Sequence, residues 1–101
     1  MSRILTVAAG QLGPIQRSHD RASVVKRMIA LMREAAAGGA DLIAFPELAL
    51  TTFFPRWFMA DQAEIDTFFE RAMPSNETAP LFSESERLGI AFTLGYAELT
   101  E

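Results

Sequence analysis

Cysteine is absent from this chain. That excludes a disulfide, a thiolate nucleophile and a thiolate metal site within these residues. Histidine occurs once, as His19. One imidazole cannot build a metal cluster, and near a helix start it reads as a surface residue. No basic tract interleaved with aromatics is present, and the formal net charge is −4, so nucleic acid is not an expected partner. No apolar run reaches the length needed to cross a bilayer. No charged leader with a cleavage site precedes the first apolar segment, so a cytoplasmic protein is expected. No linker or low-complexity stretch divides the 101 residues, a length suited to one domain.

What is present is apolar. Half of the residues are hydrophobic and eight are Phe, which is material for a core and argues against disorder. Ile4 to Ala9 is a continuous apolar run, expected to be a first buried strand. Gly10-Gln11-Leu12-Gly13-Pro14 breaks it as a loop. Asp20 is placed to cap a helix on which Val24, Met28, Leu31, Met32 and Ala35 recur at helical spacing. Gly38-Gly39 ends that helix. Leu42 to Phe45 is the second expected strand. Strand, helix, strand predicts a βαβ unit with parallel strands. Both strands lack polar alternation, which predicts a sheet covered on both faces.

Asp61-Gln62-Ala63-Glu64 fits a capping box, and Ile65, Phe68, Phe69 and Ala72 then mark a second helix face. A third helix is expected from about Thr78 or Pro80 to Leu88, with Leu81, Phe82, Ser85 and Leu88 inward and Gly89 as its cap. Ile90 to Leu94 is the third strand. The element order is therefore βαβααβ, an α/β fold. Glu77, Glu84, Glu86 and Glu101 read as solvated.

Chemistry concentrates in Phe45-Pro46-Glu47-Leu48 and the residues just after it. Pro46 cannot donate to a strand ladder, so pairing should end there. Glu47 then lies just past the carboxyl end of a strand, where ligands bind in open α/β sheets. Its apolar flanks are expected to strip water from the carboxylate and raise its pKa toward the range of a general base. A solvated loop glutamate is the ordinary alternative, since one carboxylate is not a catalytic constellation. Phe53 and Phe54 are candidate substrate-contacting residues in a pocket wall, or else part of a packed loop. Arg56 either meets an anionic substrate group or stacks on Trp57. Glu98, near the end of the third strand, is a further candidate for the site.

These motifs, in this order, resemble the N-terminal portion of a nitrilase-superfamily carbon–nitrogen hydrolase. The match comprises the opening strand into Gly10-Gln11, the helix ending in Gly39-Ala40-Asp41, the strand into Pro46-Glu47-Leu48, and Leu88-Gly89-Ile90 before a strand ending in Gly95-Tyr96. Residues 46–57 are most similar to the branch that hydrolyses N-carbamoyl-D-amino acids. The resemblance implies that Glu47 is the general base of a Glu-Lys-Cys triad, with the thiolate attacking the ureido carbonyl and the lysine stabilising the oxyanion. It implies no metal or organic cofactor, a small-molecule substrate, and a homo-oligomer for the complete chain. It also implies part of a four-layer αββα sandwich, with residues 1–101 forming the N-terminal part of one hydrolase domain. Such a segment should expose strand edges and an uncovered apolar face.

The sequence departs from that pattern in two of the three triad positions. It has no Cys, and Lys26 precedes Glu47 and so cannot be the triad lysine. Two alternatives stay open: a small α/β binding module without catalysis, and a superfamily member acting on a different amide or a nitrile.

Overall fold

A computed structural model describes residues 2–100. The longest element is the helix α1, Arg21–Ala37. Its start is set by Asp20, whose side chain accepts from the Ser23 amide at 2.9 Å. That bond satisfies one of the amides a helix start leaves unpaired, and it holds the Asp20 carboxyl below its usual range. The helix ends at Gly38, followed by Gly39 at φ +87°, a conformation that penalises any side chain. Val24, Met28 and Met32 lie fully buried one turn apart, with Val25 beside them. The expected apolar stripe is therefore the one that packs.

Three short strands, β1 (Val7–Ala9), β2 (Leu42–Ala44) and β3 (Ala91–Thr93), form a parallel sheet in the order β1-β2-β3. Asp41 sets this register. Its carboxylate accepts from the Thr6 amide at 2.9 Å, its amide donates to the Thr6 carbonyl at 2.7 Å, and its carbonyl accepts from the Ala91 amide at 3.0 Å. One residue therefore ties both outer strands to the central one.

The row Ala8, Ile43, Phe92 faces the helices. Ile43 packs there in one core with Met28, Met32 and Leu81. The helix α3, Ala79–Leu88, supplies Leu81 and is capped by Gly89 in the left-handed region. Ser85 faces inward because its hydroxyl donates to the Ile90 carbonyl, joining the end of α3 to the start of β3.

Four expectations need correction. The first strand is shorter than Ile4 to Ala9, because β2 offers only a three-residue partner and Ile4 and Leu5 lie outside the ladder, exposed. The sheet is not covered on both faces among the described residues: Val7, on the face away from the helices, is 54% exposed. That open face is what the resemblance to a layered hydrolase implies for a segment of this extent. The second helix, α2, is only Gln62–Asp66. Asp61 caps it through the Ala63 amide rather than in a reciprocal box, since Glu64 is engaged by Arg17. The helix cannot continue because the Glu70 amide donates to the Ala97 carbonyl at 2.6 Å and the Glu70 carbonyl accepts from Leu99 at 2.8 Å, a parallel bridge that requires extended backbone. Glu84 is not a free solvated group. It joins Arg33 of α1 to Arg87 of α3, and these two guanidinium contacts lower its pKa. Glu77 and Glu86 are exposed, while Glu101 lies outside the described residues.

Candidate active site

The turn carrying Glu47 is built by three neighbouring strands. Backbone pairing continues past the regular ladder: the Gly10 amide donates to the Ala44 carbonyl at 2.7 Å and the Phe45 amide to the Thr93 carbonyl at 3.1 Å. Pro46 then has no hydrogen to donate, and the chain turns away. Leu48 takes φ +48°, a left-handed conformation uncommon for leucine. The Ala49 amide donates to the Gly95 carbonyl at 3.1 Å, which secures the far side of the turn. Gly95 lies against the turn itself: a Cβ there would sit 3.3 Å from the Glu47 Cα and 3.4 Å from the Leu48 nitrogen. Backbone just past β3 thus packs directly against the backbone that carries the carboxylate.

Glu47 stands at the carboxyl end of β2 and borders a cavity of about 190 Å³ with Leu12, Ile15, Thr52, Phe53 and Arg56. The Leu12 side is anchored by Arg27 of α1, whose guanidinium donates to the Leu12 and Pro14 carbonyls. Ligand pockets commonly measure roughly 300–1,000 Å³, so this space suits the reacting end of a small molecule rather than a whole one.

The expected dehydration of Glu47 is not provided by the described residues. The side chain is exposed. Its apolar neighbours Phe45, Ala49 and Leu50 are buried in the core, while Glu47 is exposed and borders the cavity. Apolar flanks in sequence did not become apolar surroundings in space.

The two candidate phenylalanines separate. Phe53, 47% exposed, borders the Glu47 cavity. Phe54 does not; it is buried, stacked on Phe68 at 5.2 Å between centroids and tilted on Phe69 at 5.5 Å. Arg56 takes the stacked arrangement on Trp57. It borders the cavity, and its guanidinium lies 4.9 Å from the Trp57 ring centroid, with Arg17 at 5.7 Å from the same ring. Glu98 pairs with Glu70 through backbone and does not border the cavity. His19 is exposed, its Nδ1 accepting from the Gln16 amide at 3.1 Å. Among the described residues no group of three or more His, Cys, Asp or Glu is placed to hold a metal ion, and no helix is long and apolar enough to cross a membrane.

Sequence reasoning missed the ion pair of Glu70 with Arg21. Glu70 is 5% exposed. Arg21 Nε donates to both its oxygens, at 2.5 and 3.0 Å, while Arg21 Nη2 donates to the Thr67 carbonyl at 2.6 Å and the Phe69 carbonyl at 3.3 Å. The pair fixes the turn that presents Phe68 and Phe69 to Phe54, and so supports the segment walling the cavity. The available signal was a carboxylate directly after two phenylalanines.

The sequence matches the carbon–nitrogen hydrolase family over residues 6–101. The chain belongs to that family. An arylacetonitrilase of Macrophomina phaseolina (strain MS6) is 34% identical over 105 aligned positions, which take in 99% of this chain and 30% of the relative. The chain thus spans 30% of the length of the curated relative it matches. Within this family member the described residues present one carboxylate at a cavity mouth, with Arg56 as the cation on the same cavity.

Proposed function

We propose that Glu47 is the general base of a cysteine-dependent hydrolase acting on an N-carbamoyl-D-amino acid, giving the D-amino acid, ammonia and carbon dioxide. The observation that carries this reading is the position of Glu47: past the carboxyl end of β2, on a turn held by Gly95, at the mouth of a cavity. Its substrate class rests on the similarity of residues 46–57 to the N-carbamoyl-D-amino-acid branch.

In this scheme the lysine and cysteine come from chain beyond these residues. Glu47 takes the thiol proton, and the thiolate adds to the ureido carbonyl carbon. The lysine stabilises the resulting oxyanion. Protonated Glu47 returns its proton to the departing nitrogen, and ammonia leaves. Glu47 then takes a proton from water as the water attacks the thiol-bound carbonyl; the carbon–sulfur bond breaks, the sulfur takes back that proton as the free thiol, and the released N-carboxy-D-amino acid loses carbon dioxide to leave the D-amino acid. Water is excluded from Glu47 by the remaining chain or by the substrate, since the described residues leave it exposed. The working protein is a cytoplasmic homo-oligomer that requires no cofactor.

A nitrile substrate is the second reading, supported by the arylacetonitrilase relative. Full-length enzyme should release ammonia from an N-carbamoyl-D-amino acid, and Glu47→Gln should abolish this while keeping the fold. Appreciable turnover by that variant removes Glu47 from the mechanism. Ammonia release from an arylacetonitrile alone selects the second reading.

A further inference from the structure

Thr52 is 2% exposed, and its Oγ1 has no hydrogen-bond partner among the described residues. The contrast with its neighbour is direct: the Thr51 hydroxyl donates to the Thr52 carbonyl at 2.9 Å. A buried hydroxyl without a partner destabilises a fold, and a valine of nearly the same shape would avoid the penalty. The position of Thr52 suggests where a partner arrives. Thr52 borders the Glu47 cavity on one side and an adjoining cavity of about 340 Å³ on the other. The hydroxyl is itself shielded, but a rotation of about 120° about χ1 exchanges it with the methyl group.

We infer that Thr52 is a specificity-determining residue whose hydroxyl hydrogen-bonds the ureido group of the substrate held beside Glu47. The inference rests on the N-carbamoyl reading above. A hydroxyl both donates and accepts, and a ureido group offers N–H donors and a carbonyl acceptor. A nitrile offers an acceptor nitrogen but no donor, so it can meet only the donor half of the hydroxyl. A site that meets a polar substrate group with a buried polar side chain disfavours analogues that leave part of its hydrogen bonding unmet. Thr52 would therefore give ureido substrates one hydrogen bond more than nitriles.

The test compares full-length wild type, Thr52→Val, Thr52→Ser and Glu47→Gln. Steady-state ammonia release from an N-carbamoyl-D-amino acid is measured beside thermal melting. Thr52→Val should lower kcat/KM by roughly tenfold or more, with the melting temperature unchanged or raised. Thr52→Ser, which keeps the hydroxyl, should recover most of the activity. Unchanged kcat/KM in Thr52→Val overturns the inference. So does a fall in melting temperature that Thr52→Ser restores, because the hydroxyl then has a structural partner. If wild type and Glu47→Gln behave as proposed while Thr52→Val is neutral, only the role of Thr52 fails. If wild type does not act on the ureido substrate, the functional reading fails, and the ureido hydrogen bond fails with it.

Discussion

Removing either half of the Arg21–Glu70 pair should destabilise the protein, and the two halves should not cost the same. Breaking a fully buried ion pair by deleting one partner costs about 3–5 kcal/mol. Here the Glu70 side chain is 6% exposed and the Arg21 side chain 21%, so the losses fall at or somewhat below the lower end of that range. Glu70→Ala leaves Arg21 with its bonds to the Thr67 and Phe69 carbonyls. The guanidinium is still partly solvated, and the expected loss is about 2–3 kcal/mol. Arg21→Ala is worse: the Glu70 carboxylate loses the donor that both its oxygens use, and two carbonyls lose theirs. The expected loss is about 3–4 kcal/mol. Against a total stability of about 5–15 kcal/mol, either change is large. Urea unfolding of the two single variants and the double variant measures the coupling. A coupling energy below about 0.5 kcal/mol, the range of an exposed pair, would refute the assignment of this pair as a buried clamp. An Arg21→Ala variant no less stable than Glu70→Ala would refute the ordering.

Gly95→Ala should cut kcat roughly tenfold with little loss of stability, because the new Cβ would meet the Glu47 Cα at 3.3 Å and displace the carboxylate by a fraction of an ångström. A normal kcat would show that the turn yields freely. Phe53→Ala should raise KM with modest loss of stability, whereas Phe54→Ala should cost about 3–5 kcal/mol through its lost stacking on Phe68 and Phe69; equal effects of the two on KM would deny the division between wall and anchor. Asp20 has a lowered pKa in the folded protein, caused first by its bond from the Ser23 amide. Its contribution is therefore present above the ordinary value of 3.8 and is lost as pH falls through the lowered folded value. Asp20→Asn should remove that part of the acid dependence, which circular dichroism in an acid titration would detect; identical acid limbs would rule the cap out as its source.

Much of the fold was readable along the chain because the interactions that decide it are short. The α1 stripe is a periodicity, Asp20 caps through a residue three positions away, and Gly39 and Gly89 mark conformations that other residues resist. The placement of Glu47 beyond a strand end was readable for the same reason, since Pro46 interrupts pairing wherever it stands. Its surroundings were not readable: Phe45, Ala49 and Leu50 could enclose the carboxylate or turn from it, and the core draws them inward. The second helix failed because Glu70 pairs with Ala97 and Leu99, residues that no local window contains. The Arg21–Glu70 clamp spans 49 residues, and the fit of Gly95 against Glu47 joins two strands.

Residue order along the chain thus settled the first and third helices, the three strand cores, and the turn on which the acid would ride. Three-dimensional packing settled what that acid faces, which aromatic reaches its cavity and which charge is buried. Capping and periodicity are satisfied within a turn or two of backbone. Burial and partnership depend on groups that only the closed fold brings into contact.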